Sequence, residues 1–402
     1  MWLPMLAHAQ YGEPAISNHP IPDSLREHYL GGREHVAIKH FFLRQYLGAL
    51  SFKTLQSQRG AQPSFAYIDG FTGPWGAKDE NYLDTSFGVA LDVLKRVKAR
   101  LGNVQIRYVF CETRRKAFHD LEQYVETNAD GIEVRCVYGK FEENIGDITN
   151  FIGKEGFLFA FIDPKGWNVD ATAITPLLKG RWSEVLFNFM AEFIGRFPDY
   201  GKVNQAYAAL LGDVDWRSRF EATPEHMSND DRVLLLFRDL IKDRWGFSHV
   251  LELPIRKPKR TRIFYKLVYG TRSPYGVLAF REAQARAEKE GFAVAAQAAE
   301  GTQMGLFTFD EQAQQIAAAV GVGSPHNRAR LHSAIIAKLQ EAKHISFLRL
   351  AADVLETIPA RERDVRAAVE AMRSAGLIAC SSPNERQAVK PQTIITLIDG
   401  AA

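Results

Sequence analysis

The chain has little from which to build a disulfide framework or a metal site. Its 402 residues hold three cysteines, Cys111, Cys136 and Cys380, odd in number and far apart. That spacing gives neither a disulfide nor a zinc pattern, and it fits a reducing compartment. None of the eleven histidines stands in an H-x-x-x-H or H-E-x-x-H arrangement. His35 and His40 flank one helical turn but have no third ligand, so no catalytic metal is expected. A strong charge of one sign is also missing. The formal net charge is +3, too small by itself to argue for nucleic acid. No apolar run reaches the roughly 20 residues of a membrane span. The opening MWLPMLAHAQ is apolar but short and has no basic flank. It reads as a leader outside the fold or a start placed too early, not as a secretory signal. These absences leave a cytoplasmic protein with no membrane partner as the expectation.

What is there is an ordinary globular composition, 46% hydrophobic and 24% charged, long enough for two or three domains. Residues 1–34 carry Pro, Gly, Ser and His with little period and read as an irregular leader. HVAIKHFFLRQYLGALSF (35–52) has apolar residues at helical spacing. Short apolar runs then alternate with helical patterns. SFAYIDG (64–70), QIRYVFCE (105–112), IEVRCVYG (132–139), GFLFAFIDP (156–164) and EVLFNFM (184–190) read as strands. Helical patterns at 86–101, 114–128, 141–152 and 170–179 separate them. Strands spaced by helices make a parallel sheet covered on both faces. Residues 191–245 read as a helical insertion. HVLELPIR (249–256) and TRIFYKLVYGT (261–271), joined by the basic link KPKR, read as a β-hairpin. A helix over 277–290 follows, and 291–325 reads as a linker. Residues 326–402 read as three helices and a two-stranded wing, a winged-helix domain.

YIDGFTGPWG (67–76) is the densest glycine signal: a strand ending in Asp69, then Gly70, Gly73 and Gly76 three residues apart. Glycine lets a backbone bend sharply and approach a ligand with no Cβ in the way. In such sheets ligands sit outside the carboxyl ends of the strands, where strand order reverses. The turn is neither a P-loop nor a G-x-G-x-x-G fingerprint. It resembles motif I, D/E-x-F-x-G-x-G, of class I S-adenosylmethionine-dependent methyltransferases, with Pro74 and Trp75 where that motif has one residue. The resemblance implies that Asp69 serves the methionine end of the cofactor and that Gly70, Phe71, Gly73 and Gly76 line the crevice. Glu112 ends the second strand, where a carboxylate can accept from two ribose hydroxyls at once; a solvated strand end is the alternative. Its separation from Asp69 exceeds the usual roughly 20 residues, so AKDENYLDTSFG reads as an insertion beside the crevice.

AFIDPKGW puts Asp163 and Pro164 at the end of the fourth strand, with Trp167 just beyond. It resembles the D-P-P-Y/F motif of methyltransferases acting on amino groups of adenine or cytosine. There the side chain and the next carbonyl accept hydrogen bonds from the target amine, and an aromatic ring stacks on the base. Lys165 and Gly166 depart from that pattern and Trp167 is offset by a residue, so D-P-K-G as a plain turn stays open. Asn188, near the end of the fifth strand, is a substrate contact or a helix cap.

YIDGFTGP, FCE, FIDPKG, LFNFM and GTRSPYG (270–276), preceded by KHFFLRQYL (39–47), together resemble the three-Cys-motif partner proteins, TcmP, over residues 35–290. The resemblance implies a Rossmann-like class I methyltransferase domain with a seven-stranded sheet. It implies S-adenosylmethionine as cofactor and a three-Cys-motif protein, Gp37/Gp68-like, as partner. The cysteines of that name belong to the partner. The expected activity is N-methylation of a nucleic-acid base or related nucleotide, with Asp163, Pro164, Trp167 and Asn188 at the acceptor. A degenerate fold that only binds nucleic acid or its partner, and a small-molecule methyltransferase, are the alternatives. Elsewhere, Arg196 reads as an anion contact or a solvated side chain, and RKPKRTR (256–262) as a phosphate contact or a hairpin link. Arg272 and Ser273 read as a gate to the site or a helix cap. Arg361, Arg363, Arg366 and Arg373 stand among Glu362, Asp364 and Glu370, for contact with DNA or RNA or with a protein.

Overall fold

A computed structural model describes residues 27–29, 33–59, 62–73, 77, 79–164, 166, 169–190, 201–256, 263–300, 321–381 and 388–398. Gly76, Trp167, Arg196 and the link 257–262 lie outside the described residues. The chain forms two compact units, Met1–Arg272 and Ser273–Ala402.

In the first unit, α1 (Glu34–Ser57) precedes β1 (Ser64–Asp69), α2 (Ser86–Leu101), β2 (Gln105–Glu112), α3 (Arg115–Asn128) and β3 (Glu133–Tyr138). Next come α4 (Ile145–Ile152), β4 (Phe157–Ile162), α5 (Ala171–Leu178) and β5 (Ser183–Phe189). Helices α6 (Gly201–Leu211), α7 (Trp216–Glu221) and α8 (Asn229–Asp239) lead through a π-turn, Leu240–Arg244, to β6 (His249–Arg256) and β7 (Ile263–Thr271). The sheet order is β3-β2-β1-β4-β5-β7-β6. Strands β1 to β5 pair in parallel, whereas β7 runs antiparallel between β5 and β6. This seven-stranded, mostly parallel sheet is compatible with the Rossmann-like architecture expected from the sequence.

Local chemistry explains the elements. Every residue of FLFAFI in β4 and of SEVLFNF in β5 is buried, as strands covered on both faces require. β3, the outer strand, exposes Glu133, Arg135 and Tyr138. The Thr85 hydroxyl caps α2 by accepting from Gly88 N, and the helix buries Phe87, Ala90, Leu91, Leu94 and Val97. The stretch read as an insertion folds against this helix. Asp79 Oδ1 accepts from Asn81 N and Leu83 N, and the buried Asp84 pairs with Arg33 at 3.2 Å.

In the second unit, α9 (Pro274–Glu300) outruns the expected helix at both ends. It is followed by α10 (Pro325–Ala329), α11 (Leu331–Ala342), β8 (His344–Ser346), α12 (Phe347–Thr357), α13 (Glu362–Ser374), β9 (Ile378–Cys380) and β10 (Ile394–Leu397). The strands form an antiparallel sheet, β8-β10-β9. Three-residue β8 is too short to leave an alternating pattern in the sequence. The boundary between units falls before α9, earlier than the 290 read from the sequence. Arg281 of α9 is the reason: its buried guanidinium donates to the last carbonyls of α12, Leu355 O at 2.8 Å and Glu356 O at 3.1 Å.

Candidate cofactor and acceptor site

The chain runs from β1 outward to β2 and β3, then returns to β4 on the other side of β1. Strand order therefore reverses between β1 and β4, the place at the carboxyl edge where open α/β sheets take their ligands. Asp69 is the last residue of β1, and Asp163 directly follows β4. Glu112 is the last residue of β2, and Asn188 is the penultimate residue of β5. The fold brings these four residues to one edge.

Asp69 is fully buried. Its Oδ1 accepts from Phe71 N at 3.3 Å and its Oδ2 from Ser86 Oγ at 3.2 Å. The turn is tied to its neighbours through Gly70 N to Phe161 O at 3.0 Å and Thr72 N to Cys111 O at 2.9 Å. Burial, then the charge of Asp163, push the Asp69 carboxyl up to about 7, while hydrogen bonds from Thr72, Phe71 and Ser86 pull it down. Among the described residues no cation pairs with it. A Cβ at Gly70 would stand 2.9 Å from the Phe141 ring, so packing too favours glycine there. Phe71 meets the same ring edge-on at 6.0 Å. Gly73 is half-buried beyond the turn.

Glu112 is 3% exposed, which removes the solvated strand end as a reading. Its Oε1 accepts from Arg114 N at 2.8 Å and its Oε2 from Arg114 Nη2 at 3.3 Å. Arg114 itself is about half exposed, so it lies over the carboxylate from the solvent side.

Asp163 has partners that sequence reasoning missed in part. Its Oδ1 accepts from Asn188 Nδ2 at 2.5 Å, and its Oδ2 faces Lys39 Nζ at 2.5 Å. Lys39 and Asp163 keep 13% and 17% of their side-chain exposure, and Pro164 is buried. Lys39 belongs to α1, 124 positions away in sequence. Its one signal is a lysine placed between Ile38 and the His40–Phe42 run, on a helix that buries most of its residues. Two buried polar atoms nearby have no hydrogen-bond partner among the described residues, Asn188 Oδ1 and the Tyr67 hydroxyl. Burial, then Asp69 and Asp163, hold the Tyr67 hydroxyl well above its usual range. Tyr265 also feels Asp163, and its hydroxyl donates to His35 O at 3.0 Å.

Arg272 does not belong to this edge. Strand β7 runs antiparallel, so its last residues lie beside the first residues of β5, with Gly270 opposite Val185. The Arg272 guanidinium donates to Gly246 O, Arg181 O, Leu178 O and Trp245 O and stacks on Phe247 at 4.1 Å. It ties loops together at the amino-terminal edge, which overturns the gate reading. Models of known protein families give no match to the chain, and neither does any curated protein.

Proposed function

We propose that the chain is an S-adenosylmethionine-dependent methyltransferase of the class I type, related to the three-Cys-motif partner proteins and acting with a three-Cys-motif protein. One observation carries the reading: carboxylates end the strands on both sides of the switch point in a sheet ordered β3-β2-β1-β4-β5-β7-β6. The residues suit the cofactor. Asp69 is a buried carboxylate with no cationic partner among the described residues, matched to an α-ammonium group. Glu112 keeps acceptor capacity on Oε2, since a carboxylate oxygen can accept twice and Oε1 already takes Arg114 N at 2.8 Å and Nε at 3.4 Å; displacing the half-exposed guanidinium would free more. Asp69 and Glu112 would hold the cofactor, which would supply an electrophilic methyl group to a nucleophilic nitrogen. Asp163 orients the acceptor and Asn188 fixes Asp163.

The proposed acceptor is a nitrogen of a nucleic-acid base. The Asp163-Pro164 pair at the carboxyl end of β4 supports it, and the order α11-β8-α12-α13-β9-β10 suits the winged-helix reading of the carboxyl-terminal unit. Arg328, Arg330 and Arg363 of that unit are exposed, available to phosphate. Arg366 is held by Glu362 and lies over Phe347, so α13 presents fewer free arginines than its sequence suggests.

A second reading, a methyltransferase fold that binds nucleic acid or its partner without chemistry, has its own support. Both oxygens of Asp163 are engaged within the chain, and Arg114 covers Glu112. Isothermal titration of S-adenosylmethionine and S-adenosylhomocysteine separates the two. Methyl transfer requires binding by the wild type that falls about tenfold or more in Glu112→Ala, the loss of a buried acceptor of two hydroxyls. Binding of neither compound sinks the enzymatic reading and leaves the module.

A further inference from the structure

Helix α1 is anchored along its length. Arg33, at its start, pairs with Asp84 at 3.2 Å, and Arg44 pairs with Asp92 of α2 at 2.8 Å. Tyr46 donates to the buried Glu184 at 2.6 Å. Between these anchors Lys39 reaches the carboxyl edge of the sheet and meets Asp163 at 2.5 Å. The arrangement is specific in its partner. Asp69 lies one strand away, fully buried, and takes its hydrogen bonds from Phe71 N and the Ser86 hydroxyl rather than from Lys39. Asn188 Nδ2 holds the second oxygen of Asp163, so the carboxylate is fixed in orientation as well as in charge. Two acids therefore stand at the carboxyl ends of adjacent strands, and the chain compensates one of them with a lysine from a separate element.

We infer that Lys39 is a positioning residue which, by pairing with Asp163, sets the charge that the site offers to a sulfonium. This rests on the methyltransferase reading and deepens it. The cofactor and its product differ at that point by one methyl group and one positive charge. An uncompensated Asp163 favours the cationic cofactor over the neutral product. With Lys39 in place the pair is close to neutral, and the site holds the two forms more evenly. A lysine that only braced α1 would change the affinity of both forms alike.

The test is the ratio of dissociation constants for S-adenosylhomocysteine and S-adenosylmethionine, measured by titration at one pH and ionic strength. Lys39→Gln removes the charge and keeps a hydrogen-bonding side chain; it raises the ratio about tenfold, the scale of one unit charge acting across a partly buried site. Asp163→Asn leaves Lys39 uncompensated and lowers the ratio by a similar factor. Lys39→Arg keeps the wild-type ratio. An unchanged ratio in Lys39→Gln, or an equal change in Lys39→Arg, overturns the inference while leaving the methyltransferase reading intact. If Lys39→Gln does not fold, an unchanged ratio in Asp163→Asn overturns it. A wild type that binds neither compound overturns both.

Discussion

Asp69 meets two opposing demands. Cofactor capture asks for a buried anion, whereas stability of the free protein favours a neutral group there. With its carboxyl pushed up to about 7 by burial and by Asp163, the folded chain holds a proton that the unfolded chain gives up near the ordinary aspartate value. Its contribution is therefore fully present below about pH 4 and lost as pH rises through about 7. Melting of the ligand-free protein between pH 5 and 8.5 checks this: the wild type loses stability across that range, on the order of a few kcal/mol. Asp69→Asn removes that part of the slope, melts higher at pH 8 and binds no S-adenosylmethionine. A slope unchanged in Asp69→Asn would assign the titration elsewhere. The position of Asp69 was legible, because an apolar strand that ends in an acid and a glycine turn has few other uses. Its protonation was not, since Asp163 lies 94 residues away and only the pairing of β1 with β4 brings the two together.

At the scale of elements, strands and helices followed from runs and periods, and the tertiary roles of charged residues did not. Helix α1 read clearly as amphipathic. That its tyrosine would seek a glutamate at the start of β5 left no trace in either segment. Tyr46 donates to Glu184 Oε2 at 2.6 Å and lies 2.5 Å from the Tyr269 hydroxyl, while Thr271 Oγ1 donates to Glu184 Oε1 at 2.9 Å. Burial pushes the Glu184 carboxyl up, and these hydroxyls pull it back. Tyr46→Phe deletes one donor from a buried acid and costs about 1–3 kcal/mol in denaturant unfolding. The sign with pH follows from the raised folded value. Loss of a donor raises it further, so the cost is larger at pH 8 than at pH 6. An equal cost at both would mean that Glu184 does not change charge between them. The Arg272 knot was illegible for a related reason. GTRSPYG follows a strand, and only the antiparallel insertion of β7 sends it to the edge away from the crevice.

Across the whole molecule, composition foretold more than one domain, and the boundary fell where a single buried cation set it. Arg281 donates from Nε to Leu355 O at 2.8 Å, from Nη2 to Glu356 O at 3.1 Å and from Nη1 to Gln284 Oε1 at 2.6 Å. Gln284 passes the chain of bonds to Glu288, which accepts from Val322 N at 3.0 Å. An arginine in AFREAQARAEKE gives no hint of this, because helix periodicity alone does not tell which of its charges will close on another helix's carbonyls. Arg281→Ala leaves two carbonyls and an amide without their donor, so the 273–402 unit loses about 2–4 kcal/mol. The chain offers a clean readout. All six tryptophans precede Ser273, so indole fluorescence follows only the 1–272 unit, whereas far-ultraviolet circular dichroism follows both. In Arg281→Ala the dichroism melt gains a component at lower temperature while the fluorescence melt stays in place. Equal displacement of both would show that the two units unfold as one, and that the latch on α12 stabilises the whole chain rather than its carboxyl-terminal part.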